Sequence, residues 1–335
     1  MPSPTEKQLP RKRAMTPFQL TKPIGVFYEH QQWFLPLFNK LNEREIPYVR
    51  IDARKHSYDP HSVEDEYSLF FNRMSASAYL RGHGNAIFHT LGYLAHLERL
   101  DVPVVNGHRS FMIETSKSLQ LSLFERLGLR YPRSIVSNSP KEISKAAHDL
   151  RFPVLLKPNI GGRGAGIVRF DSPQALEHAA DKALLDFGID QTALIQEFVP
   201  IRGGHIMRIE ILGGKFLYAI KVYATEDNFN LCPAEFCQTG DGVAALDEMC
   251  LVDAPASGLQ VEAFTPQPEM IRTVERVAEA AGIDVGGVEC LVDDRDGTLM
   301  YYDINALSNF VADATQVIGF DPYERLADYL IRRAR

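Results

Sequence analysis

The stretch Lys157-Pro158-Asn159-Ile160-Gly161-Gly162-Arg163-Gly164-Ala165-Gly166 decides how the chain is read. Its glycines let backbone N–H groups turn inward and approach an anion closely. Two familiar phosphate loops do not fit. A Walker loop ends in Gly-Lys-Ser/Thr, whereas Gly166 is followed by Ile167-Val168. A dinucleotide fingerprint needs G-x-G-x-x-G opening a helix; Gly162 and Gly164 match, but Ile167 stands in the third glycine's place. Val154 to Lys157 and Gly166 to Phe170 read as strands on either side. The loop is therefore expected to join two antiparallel strands as a lid over phosphates, with Lys157 reaching one from below. The bland alternative is a glycine hairpin without a ligand. An unpaired buried lysine would be unfavourable, which tilts the reading towards phosphate.

Farther along, Arg295-Asp296-Gly297 reads as a turn, with Gly297 suited to the left-handed position of a three-residue bulged hairpin. Placing Asp294 opposite Thr298 sets Val292 against Met300, Leu291 against Tyr301 and Glu289 against Asp303. Opposed residues share a face with Cβ atoms ~5 Å apart, and Asn305 lies two positions along on that face. Glu289, Asp303 and Asn305 therefore converge. Their neighbours are apolar, so the carboxylates repel one another and face a desolvation cost. A hard divalent cation relieves both, and oxygen donors suit Mg²⁺ or Mn²⁺ and not zinc. The alternative is that Glu289 and Asp303 pair with arginines, or that one is protonated. A one-residue slip of register would separate them.

The rest of the chain supplies strands and helices in alternation. Ile24 to Tyr28, Pro47 to Asp52, Tyr67 to Phe71 and Val102 to Asn106 read as strands. Trp33 to Asn42 and Ala86 to Leu100 read as helices, giving a small α/β layer. A second unit opens with a helix from Ile113 to Leu127, closed by Gly128. Ser172-Pro173 starts another helix as N-cap and first helical residue. Ala193 to Val199 is a strand, and Met207 to Leu212 pairs with Lys215 to Tyr223 around Gly213-Gly214. Helices follow at Pro268 to Ala281 and from Pro322 onward.

A phosphate lid and a carboxylate hairpin in one chain resemble the ATP-grasp superfamily, and within it the RimK-like amino-acid and peptide ligases, over roughly residues 23 to 330. Ser116-Lys117-Ser118 looks like the first nucleotide lysine, and Pro153-Val154-Leu155-Leu156-Lys157-Pro158 like the second. Gln196-Glu197-Phe198-Val199 is similar to the adenine hinge. Arg208 sits where the family places a phosphate- or substrate-binding arginine. Gly287-Val288-Glu289 and Tyr302-Asp303-Ile304-Asn305 resemble the metal-ligand strands.

The resemblance implies an α/β fold of the α+β ATP-grasp type. A small N-terminal α/β pre-ATP-grasp domain (23–110) precedes an ATP-grasp domain (111–335), whose lid spans about 130–196 and whose metal-binding subdomain spans about 197–335. It implies ATP- and Mg-dependent amide or peptide bond formation through an acylphosphate, with two Mg²⁺ (or Mn²⁺) ions. ATP would be held by Lys117, Lys157, Gly162, Arg163, Gly164, Gln196, Glu197, Phe198, Val199 and Asn230, and metal by Glu289, Asp303 and Asn305. Arg208 is the expected catalytic cation, and Lys221, on the hairpin strand, could reach the transferring phosphate and supply a charge the family's missing arginine would give. The acid and amine substrates would be small molecules, amino acids, peptides or a protein tail. A kinase using the same nucleotide machinery and a non-catalytic nucleotide-binding module are the alternatives.

The chain departs from the family in two places. Ile206 stands where an acidic residue commonly contacts the ribose, with His205 or Glu210 as substitutes. Asn230-Leu231-Cys232-Pro233-Ala234-Glu235 keeps the asparagine of the family's Asn-Leu-His-Arg-Gly-Gly but lacks its arginine.

Composition sets the outer limits. The chain has 335 residues, 45% apolar and 24% charged, with a net charge of −7. That speaks against a general nucleic-acid binder. No apolar run approaches the ~18 residues of a membrane span. Residues 1–22 read as a disordered basic tail without a secretory h-region. Cys232, Cys237, Cys250 and Cys290 show no CxxC spacing and read as free thiols of a cytoplasmic protein, which the resemblance makes a candidate homo-oligomer. Trp33 with Glu29-His30, Arg73, and Arg81 to Asn85 are further cleft candidates. His83, His89 and His96 lack a shared metal face.

Overall fold

The computed structural model describes residues 20–63, 66–162, 164–223 and 260–335. Three sheets carry the fold. The first is parallel, in the order β2-β1-β3-β4, from β1 (Ile24–Tyr28), β2 (Tyr48–Asp52), β3 (Leu69–Arg73) and β4 (Val104–Val105). β1 and β3 are buried along their whole length, as the centre of a sheet covered on both faces requires. The helix Leu35–Glu43 packs Leu37, Phe38 and Leu41 inward, and Gly84–Arg99 buries Ile87, Leu94 and Leu97. β3 lies two residues later than the sequence suggests and carries Arg73 at its end.

The helix expected from Ile113 to Leu127 is two helices, His108–Glu114 and Lys117–Arg126. Ser116 makes the break: its Oγ accepts the Leu119 N–H and caps the second helix. Asn159 reinforces it, accepting the Lys117 N–H on its carbonyl and the Ser118 N–H on Oδ1 at 2.9 Å. Lys117 thus begins a helix instead of lying within one.

The second sheet is antiparallel, in the order β5-β8-β6-β7, from β5 (Ser134–Ser137), β6 (Val154–Pro158), β7 (Val168–Phe170) and β8 (Ala193–Glu197). β6 and β7 are the two strands joined by the glycine loop, paired antiparallel as expected. Ser172 caps the helix Pro173–Asp181 through the Ala175 N–H.

The third sheet runs β11-β10-β9-β12-β13, from β9 (His205–Leu212), β10 (Lys215–Tyr223), β11 (Gln260–Ala263), β12 (Val285–Val292) and β13 (Leu299–Asn305). One face packs Met207, Ile209, Ile211 and Val288 against Val274, Val277 and Ala278 of the helix Pro268–Ala281. The other face turns towards the first sheet. Asn106 rivets the two together: Nδ2 donates to the Val285 and Ala306 carbonyls at 2.7 and 2.6 Å, and Oδ1 accepts the Asp284 and Val285 N–H groups at 2.9 and 3.0 Å.

The β12–β13 register corrects one expectation and keeps the important one. Val292 faces Leu299 and Leu291 faces Met300, one residue off the expected pairs. A bulge next to Glu289 then absorbs the slip, so Glu289 faces Asp303 after all. Tyr302 is the extra residue. The turn is wider than three residues: Asp293 N–H reaches the Thr298 carbonyl, and Gly297 N–H the Asp293 carbonyl.

Candidate functional site

A cleft of about 310 Å³ opens where the three sheets meet. It is lined by Lys117, Lys157, Gly162, Gly164, Gln196, Glu197, Phe198, Val199, Arg208, Glu289, Asp303 and Asn305, so nearly all the sequence-derived candidates converge. Arg163 and Asn230 lie outside the described residues, as do the segment 230–235, residues 1–19 of the basic tail, Cys232, Cys237 and Cys250. Cys290 is a buried free thiol.

The third sheet writes the site as rows. Ile220 pairs with Arg208, Arg208 with Glu289, and Glu289 with Asp303, across four adjacent strands. Two residues along each strand, the next row reads Tyr218, Glu210, Gly287 and Asn305. The period of two puts both rows on the cleft face. Arg208 bridges them, with Nε on Glu210 Oε1 at 2.6 Å and an Nη on Glu289 Oε1 at 3.2 Å. Glu289 also accepts Tyr302 Oη at 2.7 Å and Asn305 Nδ2 at 3.2 Å. Burial and then the Asp303 charge raise the Glu289 carboxyl above its usual value, against the pull of Arg208. Burial opposes the Arg208 charge, yet Glu210 and Glu289 hold its guanidinium firmly protonated.

Lys221 is the misplaced candidate. It faces Met207, one residue out of step with Arg208, and so lies on the opposite face of the sheet. Its Nζ sits 4.0 Å from Glu262 and 5.9 Å from the Phe264 ring centre. His205 likewise faces Tyr223 on that side, with ring centres 5.0 Å apart, and Ile206 lines the cleft instead.

Lys157 and Lys117 approach from the lid side. Lys157 donates to Gln196 Oε1 at 2.6 Å, and Gln196 Nε2 donates to Ser134 Oγ at 2.8 Å. Gln196 therefore fixes a cation with its side chain. Lys117 donates to Asp303 Oδ1 at 2.6 Å. The carboxylates thus do pair with cations in the protein alone, Glu289 with an arginine and Asp303 with a lysine. Among the described residues, no group of three or more His, Cys, Asp and Glu is arranged as a metal cluster. Two carboxylates and an amide are the donor set offered here.

The glycine loop touches the first sheet's domain. A Cβ on Gly162 would stand 2.7 Å from Ser77 Cβ, so only glycine permits this approach. Ser77 belongs to the turn 76–81 that also carries Arg81, which grips buried Glu29 together with His83. Arg81 stacks over Trp33, a cleft residue, at 4.5 Å. Arg73 is buried beside the cleft, bonded to the Ser308 carbonyl and to Asn309 Oδ1. The other histidines scatter: His89 pairs with His56 at 3.0 Å and His96 lies near Arg99.

Sequence reasoning missed Glu114 and the contact of Tyr302 with Glu289, while Glu210, offered as a substitute for the ribose contact, does line the cleft. Glu114 ends the helix His108–Glu114, and nothing in its local pattern points to the cleft. Burial pushes its carboxyl up to about 7. Tyr302 should point away from Asp303 in a regular strand; the bulge turns it back.

The RimK-like ATP-grasp domain family matches residues 114–234. Residues 114–234 are thus similar to that domain. It is similar to proteins described as probable alpha-L-glutamate ligases. One from Thioalkalivibrio sulfidiphilus is 28% identical over 74% of this chain and 73% of that protein. One from Mannheimia succiniciproducens is 21% identical over 80% and 83%. One from Teredinibacter turnerae is 27% identical, and there the chain spans 46% of the relative's length. Among solved structures, the ATP-grasp ligase PsnB complexed with a precursor variant, Mg and ADP superposes with a TM-score of 0.64, covering 95% of this chain and 100% of that one at 16% identity. D-alanine–D-alanine ligase from Bacillus anthracis gives 0.63 over 94% and 97%, also at 16% identity. The ATP-grasp fold expected from the motifs is thus the fold observed. Among the described residues, no helix is long and apolar enough to cross a membrane.

Proposed function

We propose that the protein is an ATP-dependent carboxylate–amine ligase that forms an amide or peptide bond through an acylphosphate. The observation that carries this is the convergence of Lys117, Lys157 and Arg208 with Glu289, Asp303 and Asn305 around one cleft. Residues 23–110 serve as the pre-ATP-grasp domain and 111–335 as the ATP-grasp domain, with the lid at about 130–196 and the metal-binding subdomain at about 197–335.

ATP lies with its base at Gln196 to Val199 and its phosphates beneath Gly162 and Gly164. The donor set fits magnesium: two carboxylates and an amide offer only oxygen, and Glu289 and Asp303 stand opposite each other on β12 and β13. Glu289, Asp303 and Asn305 would hold two ions between them. Bound magnesium supplies charge neutralisation at the phosphates. Lys117, Lys157 and Arg208 supply the remaining positive charge where it accumulates on the transferred phosphoryl group.

A carboxylate oxygen of the first substrate attacks the γ-phosphorus, and the bond to ADP breaks. The nitrogen of the second substrate then attacks the acyl carbon, phosphate leaves with the bonding pair, and the nitrogen loses a proton. The glycine loop, packed on Ser77, excludes water from the acylphosphate. Amino acids or peptides are the substrate classes, in line with the glutamate-ligase relatives and with a second PsnB complex, which holds a precursor peptide.

The test is ADP release with Mg·ATP across a matrix of amino acids and short peptides, with products weighed by mass spectrometry. The reading expects release that needs both an acid and an amine and yields a condensed product. Release with a single partner, giving a phosphorylated product, would instead make the protein a kinase.

A further inference from the structure

In the row beside Arg208, Glu289 and Asp303, one cleft-lining carboxylate keeps a buried oxygen without a partner among the described residues. Glu210 is 1% exposed and lines the cleft. Its Oε1 accepts from Arg208, but its Oε2 is buried with no hydrogen-bond partner among the described residues. A buried charged oxygen without a donor is costly, so a donor from outside the chain would stabilise it.

The packing around Glu210 is close. Gly287 sits beside Glu210, and a Cβ there would stand 3.0 Å from Oε1. On the other side Tyr218 Oη accepts the Val311 N–H at 2.9 Å, fixing the neighbouring wall. That wall is apolar: Ile220, Phe310 and Val311 all line the cleft. Glu210 lies two residues along β9 from Arg208, a rise of about 7 Å. A group held there is within one small substrate's length of the phosphate-binding row.

We propose that Glu210 receives the α-amine of the acceptor substrate, and that this acceptor is an amino acid with an apolar side chain. Calling it the acceptor rests on the ligase reading above; the contact itself does not. A carboxylate favours a charged N–H donor over a hydroxyl, and the apolar wall accommodates a hydrocarbon side chain better than a second carboxylate.

The test is calorimetry on protein loaded with magnesium and the non-hydrolysable analogue AMPPNP. The probes are L-valine, L-leucine, L-phenylalanine, their N-acetyl forms and L-glutamate. At least one apolar amino acid should bind saturably, and N-acetylation should abolish that binding in the wild-type protein. Glu210→Gln should weaken it about tenfold or more and erase the preference for the free amine over the N-acetyl form, and Glu210→Asp should recover part of the loss. Binding indifferent to N-acetylation or to Glu210→Gln, tighter binding of glutamate, or no binding of any probe would overturn the proposal. The expected binding pattern in a protein that releases no ADP with any acid would uphold this contact and count against the ligase reading alone.

Discussion

Lys117 Nζ donates to Asp303 Oδ1 at 2.6 Å, so the lysine that opens one helix and the carboxylate of the last strand neutralise each other across the cleft. Binding magnesium and nucleotide must separate them, because each then has a stronger partner. Asp303→Asn should therefore raise affinity for ATP without magnesium by a few-fold, since Lys117 is released, and lower turnover by about a hundredfold or more. Nucleotide titrations with and without magnesium, set beside steady-state rates, check both parts.

Lys221 and Lys157 make a matched pair of opposite expectation. Lys221 lies on the far face of the third sheet, beside Glu262. Lys221→Ala should leave turnover within about twofold, as surface changes usually do. Lys157→Ala removes a cation from the cleft and should cost about a hundredfold or more. Equal losses in the two variants would contradict the face assignment.

The contrast also shows what the sequence reveals and what it hides. The glycine loop, both lysines and the carboxylate strands are local patterns, legible because backbone approach and charge pairing demand those residue types. Strand parity is equally local: counted from Arg208 across the Gly213-Gly214 hairpin, it puts Lys221 on the face away from the cleft. The Tyr302 bulge is different in kind: no residue in Tyr301 to Asp303 announces it, because it compensates a turn geometry set elsewhere. Glu114 and Asn106 act only through contacts with β12 and β13, and their partners are remote in sequence. Ser116 is a readable cap signal that the apolar pattern of residues 113 to 127 overrode.

Gly287→Ala tests the close packing between the rows. Its Cβ would stand 3.0 Å from Glu210 Oε1 and 3.2 Å from Arg208 Nε. Both belong to a buried ion pair with little room to yield. The substitution should destabilise the protein by about 1–3 kcal/mol. Denaturant unfolding measures the loss, and nucleotide titration should show weaker binding as Arg208 shifts.

Glu114 makes the ligand-free protein pH-sensitive. Burial raises its carboxyl from 4.5 to about 7. A raised acid contributes full stability below its unfolded value and loses it as pH climbs through the folded one. Stability should therefore fall between pH 4.5 and about 7, by up to about 3 kcal/mol. Glu114→Gln should flatten that part of the profile, as denaturant midpoints at successive pH values would show.

The central claim is that a substrate carboxylate is activated as an acylphosphate in this cleft. The most direct measurement uses an acid labelled with ¹⁸O in its carboxylate, together with an amine and Mg·ATP. The account predicts that one labelled oxygen per turnover appears in the released inorganic phosphate, and that the product amide keeps the other. Inorganic phosphate free of label, alongside a condensed product, would contradict it.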